Sequence, residues 1–124
     1  MKYLVDTCGW IEWLTAGKLA ACFELYLKHP AELIVPTLIQ YEIYKWVCRE
    51  KNATLALEVT GMTENGFVIP LDTSLALSAA DIAKDYYLAM ADAVVYATSR
   101  CYNVLLVTSD KHFKHLPQVK YFEK

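Results

Sequence analysis

Hydrophobic positions follow two different repeats along the chain. Short runs of consecutive apolar residues, many of them β-branched, alternate with longer segments in which apolar residues recur every three or four positions. The short runs predict strands at residues 2–6, 33–35, 67–70 and 104–108, with a weaker edge strand at 119–122. Helical patterns separate the first four strands, which is typical of βαβ units and a mainly parallel sheet.

The helical segments complete the predicted fold. They cover residues 7–16, 18–28, 38–51, 53–62 and 91–100, and a further helix starts at Asp72, Thr73 or Ser74. Thr37 and Gln40 stand at the spacing of an N-terminal capping box for the third helix. Because continuous apolar strands need cover on both faces, we predict an α/β three-layer sandwich with a mainly parallel central sheet flanked by helices.

Composition limits the classes of function. The 124 residues are 56% hydrophobic, which suits one compact domain over residues 1–124. A net charge of -2 gives no overall attraction to nucleic acid or anionic membranes, so any polyanionic substrate must be held locally. Asp6 and Glu12 interrupt a secretory h-region, and no apolar run reaches the ~20 residues of a membrane-spanning helix. We therefore expect a cytoplasmic protein with no membrane partner.

The cysteines argue against a disulfide framework. They are widely spaced, without a CxxC pair or clustered histidines to complete a zinc site, at Cys8, Cys22, Cys48 and Cys101. Reduced, buried thiols are the expectation.

Four acidic residues interrupt apolar stretches where a parallel sheet would bring them together. Asp6 and Asp110 lie at or just beyond predicted strand ends, Glu42 lies in the second turn of a following helix, and Asp92 lies near the start of another. Strand ends and the first turns of the following helices share one edge of an open parallel sheet. Gathered carboxylates repel one another and resist ionising, so such a cluster usually holds a cation.

Each acid also has a simpler explanation. Asp6 and Asp110 are equally explained as helix N-caps. Glu42 is harder to explain in this way because its neighbours leave little of that helix polar. Asp92 stands in the apolar segment 88–96, where an isolated carboxylate costs several kcal/mol of desolvation unless it is partnered or reaches the open edge.

Other charged residues are better explained by ordinary roles. Asp72 is expected to be an N-cap, and the remaining acids lie in polar segments that read as solvated faces, at Asp81, Asp85, Glu24, Glu50, Glu58 and Glu64. Several bases suit either phosphate contacts or a charged surface, namely Lys45, Arg49, Lys51, Lys111 and Lys114. His112 and His115 are a weak metal pair, because no third nitrogen or sulfur ligand lies nearby in sequence.

The acidic motifs, taken in order, resemble a known family. The segments are Leu4-Val-Asp-Thr7, Tyr41-Glu42, Leu88-Ala-Met-Ala-Asp-Ala-Val-Val-Tyr-Ala-Thr98 and Val107-Thr-Ser-Asp-Lys-His-Phe113. They are similar to the successive motifs of PIN-domain nucleases, and in size and motif order to the VapC-type toxins of toxin–antitoxin pairs. One motif is unspecific, whereas four in order across nearly the whole chain are a strong signal.

The resemblance implies a site and partners. Asp6, Glu42, Asp92 and Asp110 would be catalytic, metal-binding acids, and Thr108 would support them by hydrogen bonding. Hard oxygen ligands suit Mg²⁺ or Mn²⁺ and phosphodiester hydrolysis, so we expect an RNA endonuclease in which Glu42 completes the metal cage or orients the attacking water. A small antitoxin and a homodimer are also implied. Cys8 departs from the Ser or Asn common at its position.

Three alternatives remain at this point. The first is a PIN-like RNA-processing nuclease without an antitoxin. A receiver-type domain also has acids at parallel strand ends, although here the third strand ends in Pro70 rather than a carboxylate. A domain that binds other proteins is the third, since Trp10, Trp13 and Leu14 lie at helical spacing, although such stripes usually pack into a core.

Overall fold

The computed structural model describes every residue, Met1–Lys124, as an α/β fold. The strands are β1 Tyr3–Val5, β2 Ile34–Pro36, β3 Phe67–Ile69, β4 Leu105–Thr108 and β5 Val119–Tyr121. The α-helices are α1 Thr7–Leu14, α2 Ala20–Leu27, α3 Thr37–Glu50, α4 Ala53–Thr63, α5 Thr73–Tyr86 and α6 Met90–Cys101. Short 3₁₀ turns lie at Pro30–Glu32 and Lys111–Phe113.

All strand pairs are parallel. β4 lies between β1 and β5, and β2 pairs with β3. A single bridge between Tyr3 and Leu33 joins the two groups, which gives the spatial order β3, β2, β1, β4, β5. The predicted α/β class with a parallel sheet flanked by helices is confirmed, and so is the predicted edge strand at the end of the chain.

The strands are added to the sheet in two opposite directions, and the change of direction lies between β1 and β4. From β1 the chain passes through α1 and α2 to β2 on one side, whereas β4 returns to pair with β1 on the other. The register places Val5 opposite Val107, and the Asp6 N–H donates to the Val107 carbonyl at 3.0 Å. Ligand sites of open parallel sheets lie at such reversals, beyond the carboxyl ends of the strands. Asp6 therefore stands beside the end of β4 at that point.

Helix starts follow local side-chain chemistry. Asp72 accepts from the Leu75 N–H at 2.9 Å, which confirms its predicted N-cap role, and Asn52 caps α4 through the Leu55 N–H. The predicted capping box is wrong. Pro36 is the N-cap residue of α3, and the Gln40 side chain instead donates to Thr63 Oγ1 on α4 at 3.0 Å.

Large apolar side chains close the core between helices and sheet. Leu4, Phe23, Ile39 and Leu106 are fully buried, as is Tyr96, whose hydroxyl donates to the Pro117 carbonyl at 2.7 Å. A buried hydroxyl with a partner avoids the desolvation cost of an orphaned polar group. The interior is therefore both apolar and satisfied in hydrogen bonding.

The cysteines are all unpaired, as expected, but they are less buried than the sequence predicts. Cys101 at the end of α6 is exposed, and the other three are partly exposed. None of the helices is both long enough and apolar enough to cross a membrane.

Two helical glycines form a natural test of this packing. A Cβ added at Gly9 would lie 2.6 Å from both Phe23 Cδ1 and Val5 Cγ1, whereas one added at Gly61 would meet nothing within 4 Å. We expect Gly9→Ala to lower the free energy of unfolding by about 1–3 kcal/mol through overpacking. Gly61→Ala in α4 should raise it by about 0.5–1 kcal/mol, because Ala loses less backbone entropy than Gly on folding.

Urea denaturation of the two variants and the wild type measures both effects. A Gly9→Ala variant as stable as Gly61→Ala would show that α1 and α2 do not pack as closely as described.

Candidate metal centre

Asp6 is a buried carboxylate with hydrogen-bond partners but no cationic one. Its side chain follows β1 and only 7% of the residue is exposed. Oδ1 accepts from the Thr7 N–H at 2.9 Å, which caps α1, and Oδ2 accepts from Thr108 Oγ1 at 2.9 Å. Asp6 is thus an N-cap and a member of the acidic cluster at once, so the two interpretations of this residue are compatible.

Burial dominates the protonation of Asp6. The pKa of Asp6 is raised to about 7, chiefly by desolvation, and the nearby charges of Asp110 and Glu42 contribute in the same direction. Hydrogen bonds from Thr108 and Thr7 act in the opposite direction without cancelling the effect. At neutral pH the Asp6 carboxylate is therefore partly protonated, and the proton competes with a cation for this side chain.

Glu42 reaches the same edge of the sheet from α3. Its Oε1 accepts from Thr7 Oγ1 at 2.6 Å, across a separation of 35 residues in the chain. Thr7 is the first residue of α1, so this bond ties the start of α1 to the second turn of α3. One oxygen of Glu42 is thereby fixed, and the carboxylate lies close enough for its charge to raise the pKa of Asp6.

Asp110 and Asp92 meet at a histidine. Asp110 follows β4, where its N–H donates to Thr108 Oγ1 at 2.9 Å and its side chain caps the next turn through the His112 N–H. His112 Nδ1 lies 2.9 Å from Asp92 Oδ2 and 3.2 Å from Asp110 Oδ1. Burial raises the pKa of Asp92 and the charge of Asp110 adds to this, whereas His112 lowers it.

The four predicted acids therefore gather at one end of the sheet, but at different depths. Ligand atoms of Asp92, Asp110 and His112 all lie within 4.8 Å of one another. Asp6 and Glu42 lie outside that group and are linked to it through the hydroxyls of Thr108 and Thr7. One ion in the tight group would contact Asp6 and Glu42 only after side-chain movement or through water.

The donor set fits a divalent cation. Neighbouring ligands of an octahedral ion with bonds of ~2.1 Å lie about 3 Å apart, and His112 Nδ1 lies 2.9 and 3.2 Å from the two carboxylate oxygens. The carboxylates favour Mg²⁺ or Mn²⁺.

Two residues of this cluster were not singled out by the sequence. Thr7 was noted only as part of a motif, although an Asp-Thr pair at a strand end is a signal for a hydroxyl beside the site. His112 stands two residues after Asp110, within reach of that carboxylate, although its pairing with His115 in sequence is only weak evidence for a metal site. No sign of the contact between His112 and Asp92 is present in the sequence, because the two residues are 20 positions apart and become neighbours only in the fold.

Cys8 takes the hydrogen-bonding place of the polar residue that the resemblance led us to expect. Its Sγ lies 3.4 Å from Thr108 Oγ1, accepts from the Ser109 N–H at 3.4 Å, and lies 3.7 Å from Asp6 Oδ2. Burial, and then the charge of Asp6, raises the pKa of the Cys8 thiol. The thiol is therefore neutral and links the ends of β1 and β4 as a weak polar group.

Comparison with known families gives one sequence match. A family model described as PIN domain matches residues 3–119. No curated protein sequence matches the chain.

Several solved structures share the fold. A toxin–antitoxin complex from Klebsiella pneumoniae contains a chain with a TM-score of 0.83 and 18% identity, covering 99% of this chain and 100% of that one. DNA-bound VapBC from Salmonella typhimurium gives a TM-score of 0.77 at 15% identity, covering 98% and 97%. VapC20 of Mycobacterium tuberculosis, described as a Sarcin-Ricin loop cleaving toxin, gives 0.71 at 12%, covering 98% and 90%.

Because its pKa is raised in the fold, ionised Asp6 should lower the free energy of unfolding. In the unfolded chain Asp6 ionises near pH 3.8 and in the fold near pH 7, so wild-type stability falls as pH rises between these values. Asp6→Asn keeps an acceptor for the Thr7 N–H and removes the buried charge. In chelator, we expect the free energy of unfolding of this variant to exceed that of the wild type by about 4 kcal/mol at about pH 8, with the difference shrinking towards about pH 4.

Urea denaturation at the two pH values measures the difference. Asp72→Asn, also an N-cap but away from the cluster, is the matched control and should show no such pH dependence. Equal stability of the Asp6→Asn variant and the wild type at both pH values would contradict a buried, unpaired Asp6 charge.

Proposed function

This chain belongs to the PIN domain family, and from that premise we propose that it is a metal-dependent endoribonuclease that hydrolyses RNA phosphodiester bonds. The observation that carries the proposal is the gathering of four carboxylates at the sheet reversal, one of them buried without a cationic partner. Uncompensated negative charge of this kind is characteristic of a site that binds a divalent cation.

We assign Asp6, Glu42, Asp92 and Asp110 as the metal-binding catalytic residues, with Mg²⁺ or Mn²⁺ as the cofactor. When bound, such an ion would supply a Lewis acid for the scissile phosphodiester and its attacking water. Hydrolysis joins the water oxygen to phosphorus, breaks the bond to the leaving sugar oxygen, and returns a proton to that oxygen. Asp92, Asp110 and His112 offer ligand atoms that all lie within 4.8 Å of one another.

The remaining side chains hold these acids in place. Thr7 fixes one oxygen of Glu42 and leaves the other to accept a proton from, or orient, a water molecule. Thr108 donates to Asp6 while it accepts from the Asp110 N–H, so one hydroxyl sets the relative position of both acids. This preorganisation reduces the rearrangement needed when phosphate and cation bind.

A toxin role is supported by the solved structures. Chains of the same fold occur in a toxin–antitoxin complex, in VapBC and in VapC20, a toxin described as cleaving the Sarcin-Ricin loop. We propose that this chain is likewise a cytoplasmic toxin neutralised by a small antitoxin. A role in RNA processing without an antitoxin is the second candidate. The match to the PIN domain family over residues 3–119 argues against the receiver-type alternative.

A homodimer is supported by an apolar surface between α5 and α6. A cavity of about 320 Å³ is lined only by hydrophobic residues, among them Leu71, Ala80 and Val94. Met90, which also lines it, is 80% exposed, and Leu77 of α5 is 65% exposed. Contiguous apolar surface of this kind usually marks a protein interface.

Substitution of Ala80 tests the homodimer. Ala80 is exposed in the single chain, so Ala80→Glu should fold normally yet place a charge in the interface and yield monomers in sedimentation, whereas the wild type sediments as a dimer. Ala21→Glu, at an exposed position on α2, is the matched control and should remain dimeric. A dimeric Ala80→Glu variant would exclude this surface.

Loss of one site acid should abolish cleavage. We expect Asp92→Asn and Asp6→Asn to reduce Mg²⁺-dependent RNA cleavage by at least about 100-fold, the scale for losing one group that stabilises transition-state charge. Asp72→Asn is the control and should cleave normally. Sequencing of the RNA ends with and without Mg²⁺ gives both rate and cut site. Full activity of the Asp92→Asn variant, or of the wild type in chelator, contradicts the mechanism.

Growth of a bacterial host separates the two candidate roles. Induction of the wild type should arrest growth while Asp92→Asn should not, and co-expression of a short neighbouring reading frame should restore growth. Cleavage in vitro without growth arrest would favour RNA processing.

A further inference from the structure

A groove on α3 leads away from the acidic cluster. A cavity of about 500 Å³ lies between α3 and the start of α6, and Glu42 is one of its walls. The rest of the α3 side is lined by Leu38, Tyr41, Lys45, Trp46 and Arg49. The groove is therefore continuous with the candidate metal centre through Glu42.

One aromatic ring and two positive charges lie in a row along one face of this helix. Tyr41, Lys45 and Arg49 recur every four residues, which places them in one row. Lys45 has no salt-bridge partner, and its Nζ lies 5.7 Å from the centre of the Tyr41 ring. Arg49 uses only its Nε, which lies 3.1 Å from Glu50 Oε2, and its side chain is 61% exposed. Both cations remain available to an anion.

Tyr41 is not part of the core. The residue is 53% exposed, and a second cavity of about 470 Å³, lined also by Tyr44 and Thr60, shares Tyr41 and Lys45 with the groove. The ring and the ammonium thus form a ridge that is accessible from two sides. An exposed aromatic ring beside cations suits base stacking more than helix packing.

We propose that this groove binds a single-stranded segment of the RNA substrate next to the cleaved bond, with a base stacked on Tyr41 and phosphates held by Lys45 and Arg49. The inference rests on the proposed function, because it assigns the substrate contacts of the same site.

Charge and length support this occupant. The whole chain carries a net charge of -2, and the acidic cluster repels phosphate when no cation is bound, so binding needs cations placed locally. Seven residues separate Glu42 from Arg49, which is ~10 Å along a helix, about the length of three stacked nucleotides at ~3.4 Å each. Bases of a duplex are already stacked and do not offer their faces to a protein ring, so the strand must be single.

Binding measured without catalysis tests the proposal. The full-length protein is titrated in chelator into a fluorescein-labelled single-stranded oligoribonucleotide, and anisotropy gives the dissociation constant. Tyr41→Ala should weaken binding about 10-fold, within the range for loss of one stacked base. Lys45→Ala and Arg49→Ala should each weaken it about 5-fold and reduce the dependence on salt concentration, since each removes one phosphate contact. Tyr41→Phe keeps the ring and should bind as the wild type does.

Matched controls lie elsewhere on the surface. Lys120 sits 5.4 Å from the centre of the Phe122 ring, in the same kind of pair, and Tyr102 is 41% exposed at the end of α6. Lys120→Ala and Tyr102→Ala should leave the RNA affinity unchanged. Circular dichroism confirms that each variant is folded, as expected for substitutions of exposed residues.

The outcomes separate this inference from the proposed nuclease function. Unchanged RNA affinity in the Tyr41→Ala and Lys45→Ala variants overturns the groove assignment even if Asp92→Asn abolishes cleavage, and leaves the groove to a protein partner. Equal affinity for a hairpin duplex of the same sequence overturns the single-strand assignment. A wild type that binds through Tyr41 and Lys45 but cleaves nothing with Mg²⁺ supports the groove and counts against the nuclease.

Discussion

Negative charge at the ends of two parallel strands, buried in the case of Asp6, is the constraint on which this structure depends. Asp6 follows β1 and Asp110 follows β4, and no lysine or arginine neutralises either of them. Hydroxyls supply the compensation, since Thr7 Oγ1 donates to Glu42 and Thr108 Oγ1 donates to Asp6, while the Asp6 carboxylate caps α1 through the Thr7 N–H. Hydroxyl donors orient an acid without cancelling its charge, whereas a salt bridge would neutralise it. The local energetics therefore favour cation binding over stability, as is common at functional sites.

Sequence reasoning located the acids because their positions depend on features that a pattern contains. Strand ends and the first turns of helices are visible in hydrophobic periodicity, and Asp92 stands out against the apolar residues around it. Contacts between helices were not visible in this way. The Thr7 bond to Glu42 depends on how α1 faces α3, and the His112 contact with Asp92 depends on where α6 crosses the sheet end. The predicted capping box is wrong for the same reason: the Gln40 side chain donates to Thr63 on the neighbouring helix.

Shared architecture and individual specificity come from different parts of the chain. Proteins with 12–18% identity keep this fold, and the strand ends that the fold fixes also supply Asp6 and Asp110. The outer face of α3 is not fixed in that way, because Tyr41, Lys45 and Arg49 are exposed and support no packing. Substitution there changes which ligands bind at little cost in folding. Chains of the same architecture can therefore act on different substrates.

The sheet is joined along its middle by one bridge pair, Tyr3 with Leu33, where the neighbouring strand pairs have continuous ladders. Glu42 follows the strand on one side of this seam, and Asp6 and Asp110 follow strands on the other. The Thr7 hydroxyl crosses the seam to reach Glu42. Strand pairing therefore contributes little to the position of Glu42 beside Asp6 and Asp110, which depends on this side-chain hydrogen bond and on the apolar core that packs across the seam.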